Sequence, residues 1–183
     1  MASAFGHAAL VIGGRKLFPD KAMGTKVIIL GICSAVFPDL DVFFRYIVDY
    51  SNPYYEYLEH RGITHSIFFA VLWAILITGI FHRKSPYKII LISFYFICTI
   101  SHGILDAFTT GGAGIGFLMP FSTERYFTPF KVIKVSPIGI SRFFSSWGVK
   151  VLKSEFFYIG IPSMLFYVLG IFLNRSIYKT EKD

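Results

Sequence analysis

The residues able to do chemistry in this chain sit at the ends of apolar runs. Tyr87 to Ile100 is one such run, and it closes on Ser101-His102-Gly103-Ile104-Leu105-Asp106. His102 and Asp106 are four apart, so on a helix they share one face, one turn apart. Ionisable groups at the end of a membrane-type segment are costly, and the expectation is a functional site whose partners lie elsewhere in the chain. The chain offers His7, the pair Asp39 and Asp41 after Pro38, and His60 and His65 in the segment His60-Arg61-Gly62-Ile63-Thr64-His65-Ser66. Neutral imidazoles and carboxylates suit zinc and related divalent ions. Several separate segments that deliver His or Asp to one place predict a metal site. The ligands would fill one closed site, or adjacent sites with positions left open. An ion with an open position makes water acidic enough to supply a nucleophile near neutral pH, and clamps phosphoryl oxygens.

The individual residues carry different expectations. Of Asp39 and Asp41, one is expected to bind metal while the other orients a ligand or acts as a base. The plain alternative is a helix C-terminal turn. His60 and His65 are five apart, which a continuous helix would splay. Gly62 marks a break, with Thr64 as cap and His65 in the first turn of the next helix. Each His is a ligand or the partner behind one. Arg61 is expected to hold a phosphate oxygen, or else to pair with Glu59 or Glu56. His82 lies in a basic turn and reads as unrelated to the site. Thr109-Thr110-Gly111-Gly112 reads as a plain turn, with a backbone anion nest as the alternative. Tyr54, Tyr55 and Tyr57 read as an interfacial aromatic belt.

The elements that must position these groups are membrane helices. The 183 residues are 54% hydrophobic and 16% charged, against about 25% charged in soluble domains. The net charge of +7 is spread over loops, so no nucleic-acid partner is expected. Cys33 and Cys98 lie inside apolar runs, which excludes a disulfide framework and a CxxC metal motif. No cleavable signal is expected, because Arg15 and Lys16 follow the first apolar stretch instead of preceding it.

Apolar runs predict helices over Ser3 to Leu17, Val27 to Phe37, Ser66 to Phe81, Tyr87 to Ala107 and Phe156 to Leu173, the last kinked at Pro162. Ser3 is a candidate N-cap. The first two runs are shorter than the roughly 20 residues that cross a bilayer. The fold expected is an all-α polytopic membrane helix bundle with four to five membrane helices. It forms a single integral membrane domain over residues 1–183, with a long extracytoplasmic loop at 107–153.

Charge orients these helices. Arg15, Lys16, Lys21 and Lys26 follow the first helix, and Arg83, Lys84 and Lys88 follow the third. Arg175, Lys179 and Lys182 end the chain. Alternating crossings put all three groups on one side, which the positive-inside tendency makes cytoplasmic. His7, Asp39, Asp41, His60, His65, His102 and Asp106 then all fall on the extracytoplasmic side of a multi-pass inner or plasma membrane protein. The loop cations Arg125, Lys131, Lys134, Arg142, Lys150 and Lys153 fall there too, where lipid phosphates are one partner for them.

With these residues assembled, the chain resembles the YdjM family, described as membrane-bound, metal-dependent hydrolases, some under LexA control. The resemblance rests on His7, on Pro38-Asp39-Leu40-Asp41 and on His60-Arg61-Gly62-Ile63-Thr64-His65-Ser66. It extends to His102 and Asp106 followed by Phe108-Thr109-Thr110-Gly111, and to Pro120-Phe121-Ser122 with Arg125-Tyr126. That family is distantly similar to zinc-dependent phospholipases C and P1-type nucleases, helical enzymes with a His/Asp metal cluster. The resemblance implies that His102 and Asp106 are metal ligands, with Asp39, His7, His60 and His65 the others. Those soluble enzymes also use a processed N-terminal amine as a ligand, whereas this chain keeps Met1. One or two ions, zinc or manganese, are therefore expected instead of three.

The function expected is hydrolysis of a phosphoester by metal-activated water, with a phospholipid or lipid-linked phosphate as substrate. Asp39 or Asp41 would be the base, and Arg61 would hold the phosphate. An amidase using the same metal water is one rival. A non-catalytic membrane protein with a structural or sensing metal site is the other.

Overall fold

The computed structural model describes residues 1–49, 51, 54–137 and 139–177. Tyr50, Asn52 and Pro53 of the aromatic connection, and Lys179 and Lys182 of the basic tail, lie outside these. Among the described residues the fold is helical, with no strand and only two isolated bridges, Thr109 to Ile133 and Ile115 to Tyr126.

α1 spans Ala4–Gly14. Ser3 caps it, its hydroxyl accepting from the Gly6 N–H. It ends at Gly14, three residues earlier than expected, in a 3-10 turn over Arg15–Leu17. α2 spans Thr25–Val36 and does not stop at Pro38. It tightens into a 3-10 helix over Phe37–Tyr46, because proline is tolerated in a first turn. Asp39 and Asp41 therefore sit on a continuing helix and not in a terminal turn. Together these give a stretch, Thr25–Phe44, long and apolar enough to cross a membrane.

A short α3, Tyr55–Leu58, leads to a 3-10 turn at Ile63–His65. α4 follows at Ile67–Phe81. Its cap is Ser66, whose hydroxyl accepts from Phe69 N–H, so the expected role of Thr64 as cap is corrected. Thr64 is free to face the site. α4 has 15 residues, short for a crossing. It buries Ala70, Ala74, Ile77 and Thr78, half-buries Phe69 and Trp73 beside that stripe, and exposes apolar side chains on the rest of its surface.

α5, Lys88–Ala107, is long enough to cross and is the most buried helix. It packs against α4 on one side and α2 on the other. Gly31 of α2 allows that approach, since a Cβ there would lie 2.6 Å from the Phe94 ring. Val27, Phe94, Tyr95, Cys98 and Ala74 form the core between the three helices.

Within the stretch 107–153 the chain forms α6, Ile140–Phe143, and begins α7, Ser146–Glu155. α7 runs through a π-helical turn, Phe156–Gly160, into α8, Ile161–Ile177. The result is one helical stretch, Ser146–Ser176, that also meets the length and hydropathy for a crossing. The wide π turn sits just before Pro162, so the irregularity expected of a proline appears one turn upstream of it.

α8 lies along α1. At Gly13 a Cβ would meet the Ser163 carbonyl oxygen at 2.2 Å, and at Gly170 one would meet the Lys16 backbone at 2.3 Å. Backbones this close are how membrane helices gain packing contact. Asn174 donates to Lys16 O and Phe18 O, and Lys26 Nζ donates to Phe81 O. The first basic turn and the ends of α4 and α8 therefore gather at one end of the bundle. The His and Asp residues gather at the other.

Candidate metal centre

Four elements meet at that other end: the start of α1, the 3-10 extension of α2, the turn before α4, and the last turns of α5. One ligand atom each from Asp39, His65, His102 and Asp106 lies within 4.8 Å of the others, and all four residues are buried. Asp41, His60 and His65 form a second such group. His65 belongs to both.

Most of these side chains have one end tied and one end free. His102 donates its Nδ1–H to the Ala35 carbonyl at 2.7 Å. The carbonyl lies at the end of α2, just before the helix tightens into its 3-10 extension. The bond fixes Nδ1 as a protonated ring nitrogen and turns Nε2 toward Asp39 Oδ1, 3.2 Å away. His65 directs Nδ1 at Asp41 Oδ2, 3.2 Å away, which leaves its Nε2 free. Burial holds the His65 ring below its ordinary pKa, against the opposing pull of the Asp41 bond, so it is neutral near pH 7. That is the form a metal ion takes.

The free ends are His65 Nε2, His102 Nε2, Asp39 Oδ1, Asp106 Oδ2 and both nitrogens of His7, all buried without a hydrogen-bond partner. Buried orphans are rare in proteins, and each needs an explanation. Of the nine such atoms among the described residues these six cluster, and each is of a type that ligates zinc. The donor set therefore fits a divalent ion.

Asp41 plays a different part from Asp39. It accepts from the Thr64 hydroxyl at 2.6 Å, the Arg61 N–H at 3.2 Å and the His60 ring at 2.7 Å, besides facing His65. A carboxylate so engaged orients its neighbours. His60 stands behind it, part-exposed at 26%, with no atom in the buried group. His7 stacks on His102 with ring centroids 3.9 Å apart, and its Nε2 is 3.9 Å from Asp106 Oδ1.

Arg61 is 1% exposed and has φ of 71°, left-handed backbone for a bulky residue. Its Nη1 donates to Gly111 O at 2.8 Å and its Nη2 to the Thr109 hydroxyl at 2.9 Å. Nη2 also lies 3.1 Å from Asp106 Oδ2, an ion pair though not an aligned hydrogen bond. The guanidinium is thus occupied by the protein itself. Thr109 to Gly111 turns its oxygens toward a cation, so the stretch is a turn around Arg61 and not an anion nest. Gly112, at φ +98°, is where a Cβ would strike the guanidinium at 2.3 Å. Glu59 pairs with Arg125, not Arg61. His82 bonds the Tyr95 hydroxyl at the far end.

Sequence reasoning missed the first residues and Glu155. Ala2 N–H donates to Asp106 Oδ1 at 2.6 Å, and the Met1 amino nitrogen is 3.6 Å from Oδ2. Ser3 donates its N–H and hydroxyl to Glu155, which is buried at the end of α7. The available signal was an acid at the threshold of an apolar run.

Residues 2–177 match the family described as YdjM inner membrane protein. The chain is 38% identical over 168 residues to "Inner membrane protein YbcI" of Escherichia coli (strain K12), covering 87% of this chain and 91% of that protein. No solved structure matches. A membrane-type helical bundle with a buried His/Asp cluster, carried on a sequence that matches almost throughout, makes this chain a member of the YdjM family of inner membrane proteins.

Proposed function

We propose that the protein is a membrane-embedded, metal-dependent hydrolase of a phosphoester in a phospholipid or lipid-linked phosphate. The observation that carries this is the convergence, within 4.8 Å of one another, of buried ring nitrogens and carboxylate oxygens from Asp39, His65, His102 and Asp106 that make no hydrogen bond there. A divalent ion held there polarises a phosphoryl oxygen and acidifies water. Zinc is the first expectation and manganese the second. Asp39 and Asp106 supply charge to the ion, and His65 and His102 supply neutral nitrogen. Asp41 keeps the His65 tautomer, and His7 lies against His102. Arg61 holds Asp106 in place, and the loop cations would be left to meet a substrate phosphate.

The setting is a multi-pass protein of four to five membrane helices, α4 included despite its length. The basic turn after α1 and the ends of α4 and α8 face the cytoplasm, and the site faces outward with the long connection over it. A substrate in the outer leaflet reaches such a site sideways.

The test is elemental analysis of the detergent-purified protein, followed by phosphate release from phospholipids and lipid-linked phosphates. Metal that is bound, and lost in His102→Ala with the fold intact, supports the site. Release of phosphate or a phosphorylated head group that needs the metal supports the hydrolase. A second reading is a structural or sensing metal site. The completeness of burial favours it, since Asp39, His65, His102 and Asp106 are each at most 8% exposed and a closed site is the structural kind. Metal that binds stoichiometrically without any hydrolysis would select this reading.

A further inference from the structure

Below the His/Asp cluster, toward the middle of the bundle, α1, α5 and α8 leave a groove of about 390 Å³. Its walls are Leu10, Gly14 and Leu17 on the α1 side, Phe94 and Ser101 on α5, and Phe166 on α8. Interiors are packed with few voids larger than a water, so a space this large is not a packing defect. Its lining is almost wholly apolar, and such a cavity does not hold water. Its α5 wall lies in the middle of a membrane-length helix, Lys88–Ala107. There the surrounding medium is hydrocarbon.

The groove and the cluster share their helix faces. On α5, Phe94, Cys98, His102 and Asp106 recur every four residues and form one stripe. On α1, His7, Leu10, Val11 and Gly14 fall at the i, i+3, i+4, i+7 spacing that puts them on one face. The metal-type residues occupy one end of each stripe and the groove the rest. From Ser101 to Phe94 the helix runs about 10 Å.

We infer that the groove between α1, α5 and α8 is the subsite for one acyl chain of a lipid whose phosphate sits at the His/Asp cluster. This rests on the proposed phosphoester reading and gives it a substrate class: a lipid recognised by its chain as well as by its phosphate. The carbonyl end of the chain lies by Leu10 and Ser101, and the methyl end by Leu17 and Phe94.

Gly14 provides the test. A Cβ there meets nothing within 4 Å, and its φ of −68° suits any L residue. Gly14→Leu therefore starts its side chain into open space and narrows the groove that Gly14 lines. The full-length protein in nanodiscs is photolabelled with phosphatidylglycerol carrying a diazirine either near the acyl carbonyl or at the chain terminus. The first probe is expected to mark Leu10 and Ser101, and the second Leu17 and Phe94. Gly14→Leu is expected to cut both about tenfold, the weight of about two buried methylenes. Labelling of the outer face of α4, at Leu72 and Leu76, stays unchanged. Groove labelling no heavier than that of α4, unmoved by Gly14→Leu, or reversed in order overturns the subsite.

Labelling needs neither metal nor turnover, so the two readings fail separately. A labelled groove with no hydrolysis of any phosphoester removes the hydrolase and keeps the lipid site. Hydrolysis whose KM for long-chain and short-chain substrates responds alike to Gly14→Leu removes the subsite and keeps the hydrolase.

Discussion

The rings of His7 and His102 lie 3.9 Å apart and only 13° from parallel, fully buried, on helices nearly a hundred residues apart in sequence. Two imidazoles stacked this way cannot both carry a proton cheaply. At most one of the two rings is charged, and it is His7 that turns its Nε2 toward Asp106 Oδ1, 3.9 Å away. His102→Ala and Asp106→Ala are expected to lose bound zinc or manganese from about one to two ions per chain to none. His7→Ala is expected to retain part of it. Elemental analysis of the purified variants measures this, and unchanged metal in His102→Ala would count against the centre.

Asp41 acts from behind. Asp41→Asn keeps its shape and removes the charge that holds His65 and His60. The expected result is metal affinity weakened about 10–100-fold with the ion still bound at saturation. Chelator competition reads the difference. Complete loss would instead make Asp41 a direct ligand.

Arg61 and Asp106 form a fully buried pair. Arg61→Met removes one partner and leaves the other's charge in a dry site, at a cost of about 3–5 kcal/mol. Denaturant titration in detergent is the measurement. Arg61→Lys keeps the charge but cannot reach Gly111 O and Thr109 together, so it should fall between the two. A loss below about 1 kcal/mol for Arg61→Met, the scale of an exposed pair, would mean that the pairing adds little.

Adjacent glycines separate packing from mere helix propensity. Gly13→Ala puts a methyl 2.2 Å from the Ser163 carbonyl oxygen, so α1 and α8 must part. The expected cost is about 1–3 kcal/mol. Gly14→Ala meets open space and should be neutral or slightly stabilising. Equal effects from the two would refute the close approach of α1 and α8.

The metal-free protein should lose stability in mild acid. His65 titrates below its ordinary value because it is buried. The unfolded chain then binds a proton that the folded one refuses, so the stability it contributes is complete above about pH 6.5 and declines as pH falls below it. Thermal unfolding after chelation, from pH 8 to 5, follows this. His65→Gln should flatten the decline, and an unchanged slope would show that His65 does not set it.

Much of the site was legible because its pairs are local. His102 and Asp106 share a helix face by spacing alone, and His7 follows its cap, Ser3. The division of labour between Asp39 and Asp41 was not legible. It depends on Thr64, His60 and the Arg61 N–H, which reach Asp41 only after the chain has turned. Arg61 misled for the same reason. An arginine beside histidines suggests phosphate, but the left-handed backbone at Arg61 sends the side chain inward to Thr109 and Gly111, about fifty residues away. α7 was read as loop because Ser146–Glu155 is polar and amphipathic. A period of hydrophobicity could not show that it continues through the π turn into α8.

The acceptor for His102 Nδ1 is a main-chain oxygen, that of Ala35. Every residue has such an oxygen, so no single codon change at position 35 can delete it. Side chains around His102 are free to drift over generations while the proton stays on the same nitrogen. Inheritance of that proton position is entrusted to the shape of the backbone where α2 passes into its 3-10 extension, next to Pro38. A homologue that replaces Pro38 would be the natural place to look for a centre wired differently.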